Sequence, residues 1–267
     1  MRATSLYIGL RMARVALHLA EGAVRIALLF PFADARRRAE LRRAWSLRLL
    51  RCLGIEVAAD PALAQCAAGL LAANHVSFVD VFVINAVLPA GFVAKSEVAR
   101  WPLIGWLCRH NETIFIERGS RRAAHGTQLH MIDALRSGRR VAIFPEGTTT
   151  RGDRLLPFHG ALFQAAVDAG TPVCALTLRY TDANGHPSAA PAYVDDVSLL
   201  ECLHAILASP GLVAHVAVAA NLLPPFADRR HLAHRAHGAI ATSLTHQATD
   251  APGSAVQHQR KEGAINR

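Results

Sequence analysis

The 267-residue chain has few cysteines, few acids and no long uninterrupted apolar run. Its five cysteines (Cys52, Cys66, Cys108, Cys174 and Cys202) are odd in number, widely spaced and free of any Cys-x-x-Cys, which excludes an extracellular disulfide framework and fits a reducing compartment. Arg11, Arg14, Glu21 and Arg25 interrupt the N-terminal apolar residues, so no compact apolar core of a cleavable signal is predicted. The same interruptions deny the roughly 18 apolar residues of a spanning helix, and no transmembrane segment is predicted. No repeat is visible. Aromatics are 6% and do not interleave with the Arg-rich segments, which argues against nucleic-acid binding despite a net charge of +9. His231, His234 and His237 recur every three residues without a His-Glu-x-x-His pattern, so they read as a solvated helix face and no metal site is predicted.

What is present is an apolar majority, 52% of residues, enough to bury a sizeable core and to exclude disorder. The positive charge is localised. Residues 1–54 hold eleven Arg against Glu21, Asp34 and Glu40, so +8 of the +9 lies there and the rest is nearly neutral. At 100° per residue, a helix over 5–31 gathers Arg11, Arg14, His18, Glu21 and Arg25 on one stripe. Opposite lie Ala16, Ala20, Ala23 and Ala27, a seam suited to close approach of a second helix, which 36–53 supplies before Gly54 stops it. Two basic amphipathic helices in tandem read as an interfacial anchor for an anionic membrane surface, or as a solvated hairpin packed on the domain. Beyond them, apolar runs at 68–73, 92–95, 113–117, 141–144, 173–179 and 213–220 alternate with helical patterns at 77–88, 121–137, 160–169, 196–208 and 228–246. The prediction is an α/β domain over 55–248, a mixed sheet flanked by helices, followed by a disordered tail over 249–267.

Three clusters carry chemistry. In Asn74-His75-Val76-Ser77-Phe78-Val79-Asp80, Ser77 is a candidate N-cap that places Asp80 at the third helical position, facing back toward His75. A carboxylate on one imidazole nitrogen leaves the other free as a general base; a capping box with an incidental His and a metal pair are the other readings. Phe144-Pro145-Glu146-Gly147-Thr148-Thr149-Thr150-Arg151 ends a buried strand in a tight turn whose N–H groups, hydroxyls and Arg151 suit a phosphate. Glu146 there either orients a substrate hydroxyl or a neighbouring Arg, or is a solvated turn residue. Thr113-Ile114-Phe115-Ile116-Glu117-Arg118 ends a strand in Arg118, either solvated or a phosphate fork at the strand ends where α/β ligands bind.

Together, in this order, the clusters resemble the glycerolipid acyltransferase family, and within it the bacterial 1-acylglycerol-3-phosphate acyltransferases. Asn74, His75 and Asp80 match its Asn-His-x-x-x-x-Asp, Phe115 to Arg118 its strand ending in Arg, and Phe144 to Thr148 its Phe-Pro-Glu-Gly-Thr. Thr171-Pro172-Val173 fits a looser fourth motif, and Lys95-Ser96-Glu97 with Trp101 to Gly105 fits the spacer. Thr149 stands where many members have Arg, with Arg151 two residues on. The resemblance, over about residues 40–225, implies acyl transfer from acyl-CoA or acyl carrier protein to a lysophospholipid hydroxyl. It implies His75 as base, Asp80 as its partner, and Arg118, Glu146, Gly147, Thr148 and Arg151 around the glycerol phosphate. It implies no cofactor beyond the thioester co-substrate and a place on the cytoplasmic face of the inner membrane, peripheral or monotopic. Rival readings are an acyltransferase for another lysolipid such as a lyso-ornithine lipid, and a non-catalytic membrane module.

Overall fold

The computed structural model describes residues 2–101, 104–116 and 121–249, with the side chains of 2–5, 121–124 and 247–249 left aside. Its strands are β1 (Ile55–Ala59), β2 (Leu70–Ala73), β3 (Gly91–Lys95), β4 (Ile114–Ile116), β5 (Val141–Ile143), β6 (Val173–Thr181) and β7 (Leu212–Leu222). They form one sheet in the order β1-β7-β6-β2-β5-β3-β4. The five strands from β6 to β4 run parallel, whereas β7 is antiparallel to β6 and carries β1 parallel to itself. The helices are α1 (Arg2–Leu29), α2 (Ala35–Leu53), α3 (Asp80–Val87), α4 (Ile104–His110), α5 (Arg121–Arg136), α6 (Gln164–Ala169), α7 (Leu199–Ala208) and α8 (Arg229–Thr249).

Period-two alternation splits the core between the two faces of the sheet. Every residue of β2 is buried, as a central parallel strand covered on both sides requires. Leu70 and Ala72 join Val141, Ile143, Met131, Phe163 and Ile240 under α5, α6 and α8. Leu71 and Ala73 join Leu50, Leu53, Ile84 and Ile206 under α2, α3 and α7. The mixed sheet flanked by helices is the predicted class. Sequence patterns missed β1, five residues of which only Ile55 is buried, and α4, seven residues between two turns. The helix predicted over 160–169 opens as a tighter 3-10 turn, Gly160–Phe163. The predicted tail at 249–267 lies outside the described residues, apart from Thr249 at the end of α8.

Four expectations about the N-terminal part and the cysteines are corrected. First, α1 is one unbroken helix that, with the turn after it, is long and apolar enough by length and composition to cross a membrane: an 18-residue window within Leu6–Phe32 has a mean hydropathy of 1.5 and no more than two charged residues. Second, the Ala seam is not the packing face: Ala16, Ala20 and Ala27 are exposed. The helix docks instead through Ile8, Val15, His18, Gly22, Ile26 and Phe30, and part of the charged stripe turns inward with them. Arg11 Nη1 donates to Leu207 O in α7 at 2.7 Å. His18 stacks on Trp45 of α2 with centroids 5.0 Å apart, and a Cβ at Gly22 would come within 2.4 Å of the Trp45 ring. Glu21 bridges to Arg25 at 2.7 Å and to Arg48 of α2 at 3.0 Å. These partners keep polar groups satisfied at a helix–helix contact, which a hydrophobicity pattern alone reads as a solvated face. Third, Arg42 of α2 is buried and pairs with Glu112 at 3.0 Å. Fourth, Cys66 and Cys174 are not isolated from each other: 108 residues apart in sequence, they lie side by side with Cα atoms 6.1 Å apart. Cys66 ends the 3-10 turn Pro61–Gln65 and Cys174 is on β6, so sequence spacing gives no hint of the contact.

Candidate active site

The first and third clusters meet because β2 and β5 are neighbouring parallel strands, so the segments that follow them leave the same edge of the sheet side by side. After β2 the chain makes a turn rather than the expected capped helix start. Ser77 is buried, its hydroxyl accepts from Val79 N at 3.3 Å, and α3 begins only at Asp80, whose N–H donates to Ser77 O at 3.1 Å. The acid still faces back toward His75. Asp80 Oδ2 reaches back to accept Val76 N at 2.7 Å and Ser77 N at 2.9 Å, and it lies 2.8 Å from His75 Nδ1. A carboxylate taking two backbone donors is anchored on one side, which fixes Nδ1 as the protonated nitrogen of a neutral His75. The imidazole stacks on Phe144 at 3.9 Å and 7°. It is 20% exposed, and its Nε2 has no hydrogen-bond partner among the described residues. A base with one nitrogen fixed and the other open at a strand edge is equipped to accept a proton from a ligand.

Asn74 anchors the start of the turn. Its amide donates to Leu178 O at 2.9 Å and accepts from Leu178 N at 2.7 Å, stitching the end of β2 to β6. Across the site, Thr150 N donates to His75 O at 2.8 Å. Tyr193 N donates to Val76 O at 3.0 Å, and the Thr149 hydroxyl donates to Tyr193 O. The turn that carries His75 is thus braced from β6, from the segment after β5 and from the segment before α7.

Glu146 differs from expectation. Both of its oxygens accept backbone N–H groups, from His75 at 2.8 Å and from Leu156 at 2.8 Å. It is a buried bracket between two loops, not an open ligand. Burial pushes its carboxyl above the ordinary value of 4.5, against the pull of those two N–H donors. Gly147 sits at φ +71°, which a side chain would strain, and its N–H closes the turn on Phe144 O at 3.1 Å. Thr148 is exposed beside it. Arg151, also exposed, pairs with Asp195 at 3.3 Å. Arg118 lies outside the described residues, two positions beyond the end of β4. Sequence reading took Lys95, the exposed last residue of β3 at this same end of the sheet, only as part of the spacer between motifs. It also overlooked Tyr180, whose hydroxyl donates to Asp80 Oδ1 at 2.6 Å. A residue 100 positions from its partner carries no local signal.

An α/β sheet with a His–Asp pair open at its strand ends defines a transferase or hydrolase class of site, and the comparisons narrow it. A family profile described as Acyltransferase matches residues 54–179. A protein of Neisseria meningitidis named 1-acyl-sn-glycerol-3-phosphate acyltransferase is 39% identical over 183 residues, 68% of this chain and 71% of that protein. One of Pseudomonas aeruginosa named lyso-ornithine lipid O-acyltransferase is 36% identical over 207 residues, 78% and 79% of the two chains. The crystal structure of the 1-acyl-sn-glycerophosphate acyltransferase of Thermotoga maritima superposes with a TM-score of 0.64 over 91% of this chain and 94% of that one, at 18% identity, a likeness of fold. The chain belongs to the glycerolipid acyltransferase family and is an acyltransferase.

Proposed function

We propose that the enzyme transfers an acyl group from an acyl-CoA or acyl-carrier-protein thioester to the free sn-2 hydroxyl of a 1-acylglycerol-3-phosphate, giving phosphatidic acid. The observation that carries this reading is the His75–Asp80 pair at 2.8 Å with Nε2 left open. His75 Nε2 takes the hydroxyl proton as the acceptor oxygen attacks the thioester carbonyl. Asp80 offsets the imidazolium charge. As the tetrahedral intermediate collapses, the C–S bond breaks and the imidazolium returns the proton to the leaving thiolate. The thioester is already activated, so a base and proximity suffice and no nucleophile of the enzyme's own is needed. Arg118 and the Gly147-Thr148 turn bind the glycerol phosphate, with Glu146 holding that turn against His75 and Arg151 at its rim. No cofactor beyond the thioester enters the reaction. The enzyme works at the cytoplasmic face of the inner membrane, where a lysolipid resides, held through the basic N-terminal helices.

A second acceptor, a lyso-ornithine lipid, is favoured by the Pseudomonas relative, which matches a larger share of the chain than the Neisseria one. Purified enzyme given labelled acyl-CoA or acyl carrier protein against a panel of lysolipids decides. Product from lysophosphatidic acid that is lost in His75→Ala supports the reading; product only from a lyso-ornithine lipid replaces the acceptor. Every acceptor inert with the wild type, or wild-type turnover by His75→Ala, would overturn both. Arg118→Ala is expected to raise the KM for the phosphorylated acceptor at unchanged thioester KM, by about 10- to 100-fold for a lost charge-assisted contact.

A further inference from the structure

The His75–Asp80 pair has a third buried member. We propose that Tyr180 is a positioning residue for acyl transfer: its hydroxyl, 2.6 Å from Asp80 Oδ1, sets both the orientation of the carboxylate and the strength with which it holds the His75 imidazolium. The proposal rests on the reading of His75 as the base.

Asp80 is fully buried and its two oxygens have different partners. Oδ2 serves His75 Nδ1, Val76 N and Ser77 N. Oδ1 accepts from Tyr180, which comes from β6, the strand that also grips Asn74 through Leu178. With Oδ1 fixed, the carboxylate cannot rotate about its Cβ–Cγ bond without losing a buried hydrogen bond, so Oδ2 stays aimed at Nδ1. The tyrosine remains a neutral donor, because burial and the neighbouring Asp80 charge both push its phenol well above the ordinary 10.0.

A donor on Oδ1 also withdraws negative charge from Oδ2. Removing it makes the carboxylate a stronger partner for the imidazolium, so His75 holds its proton to higher pH and less free base is present near neutrality. The other titratable groups near the pair are the same in wild type and variant, so the difference between the two isolates Tyr180. Glu146, from the turn after β5, accepts the His75 backbone N–H, and its charge acts on both His75 and Asp80. Cys202, from α7, has its thiol pushed up to about 11 by burial and is neutral.

Tyr180→Phe tests the inference in the full-length enzyme. The expected result is a kcat lowered roughly 10- to 100-fold, the size of one lost hydrogen bond to a charged group, with the KM of both substrates unchanged. The acid limb of the kcat profile moves to higher pH, and the His75 imidazole titration, followed by NMR with labelled histidine, moves with it. A folded Tyr180→Phe with lower thermal stability but an unmoved pH profile and an unmoved His75 titration would make Tyr180 a packing residue and overturn the proposal. If the phenylalanine variant fails to fold, ortho-fluorotyrosine at 180, nearly isosteric and a stronger donor, decides: the limb and the titration move to lower pH, or the proposal fails. His75→Ala runs alongside. Its retention of activity would sink the base reading, whereas the His75 titration in Tyr180→Phe still reports the Tyr–Asp–His coupling by itself.

Discussion

Glu146 Oε1 accepts the backbone N–H of His75 at 2.8 Å, so the acid of the third sequence cluster holds the main chain of the histidine in the first. Its other oxygen holds Leu156 N at 2.8 Å. Two segments 71 residues apart are fastened by one buried carboxylate. Gln in its place has only one acceptor oxygen and leaves one buried N–H unpaired, at a cost of about 1–3 kcal/mol. Glu146→Gln is therefore expected to lower unfolding stability by about that much and to lower kcat by loosening His75. Urea titration and steady-state kinetics on the same preparation check both.

The same residue carries a pH signature. Its folded pKa is raised above 4.5 by burial, so the folded state binds more protons than the unfolded chain in the window above 4.5. The stability Glu146 contributes is full below that value and falls as pH rises through the folded pKa. The difference in stability between wild type and Glu146→Gln, measured from pH 4 to 7, is expected to shrink with rising pH. A difference that grows would mean the two N–H donors outweigh burial.

Asp80→Asn separates folding from chemistry. The amide oxygen can accept the Val76 and Ser77 N–H groups, and its NH2 can donate to the Tyr180 oxygen, so the turn keeps its partners while the buried Tyr180 O–H loses its acceptor. The neutral amide cannot offset an imidazolium. Stability is expected to fall by about 1–3 kcal/mol while kcat falls about 10²- to 10⁴-fold. A folded variant keeping a tenth of wild-type turnover would remove Asp80 from the mechanism.

The sequence made His75 and Asp80 legible because they share a short motif, and the central strands legible because β2 and β5 are apolar on both faces. It made β1 illegible, since a half-exposed edge strand pairing only with β7 has weak alternation. Tyr180 and the Arg42–Glu112 pair were hidden for another reason. Each is a polar group whose burial is satisfied by partners distant in sequence, Asp80 for Tyr180 and Asn111 O with Glu112 for Arg42, and partners at that range are products of topology. The direction in which α1 faces was misread on the same ground: His18 and Glu21 look like surface residues until Trp45 and Arg48 are placed beside them.

Arg42 and Glu112 fasten the N-terminal helices to the turn that feeds β4 and, beyond it, Arg118. Arg42 is 8% exposed and Glu112 22%. Arg42→Ala leaves a largely buried carboxylate unpaired and is expected to cost about 3 kcal/mol. Replacing both residues by Met is expected to recover most of that loss, because no uncompensated charge remains. The coupling in a double-mutant cycle by urea denaturation reads the difference; additive losses would mean the pair carries no interaction of its own.

The outward face of α1 predicts how the enzyme meets a bilayer. Leu6, Leu10, Leu17, Val24 and Leu28 are exposed along it, with Phe32 90% exposed just past its end. None of them supports the fold, so Leu10→Asp with Leu17→Asp is expected to leave stability in water within about 0.5 kcal/mol. Each Leu moved from water to an apolar phase is worth about 1.5–3 kcal/mol, so the double variant is expected to lose at least 100-fold in partitioning onto vesicles. Charge acts through a different surface. Arg36 and Arg37 on α2 are exposed, and their reversal to Glu is expected to cost about 1 kcal/mol per removed positive charge on anionic vesicles only. That loss shrinks at high salt, as the screening length falls from about 8 Å at physiological ionic strength to about 3 Å at 1 M. Arg11 is no test of charge, because its guanidinium is bonded to Leu207 O and its reversal would undock the helix. Cosedimentation with neutral and anionic vesicles at two salt concentrations distinguishes the two contributions. Unchanged binding by the double Asp variant would exclude the outward face of α1 as the contact with lipid.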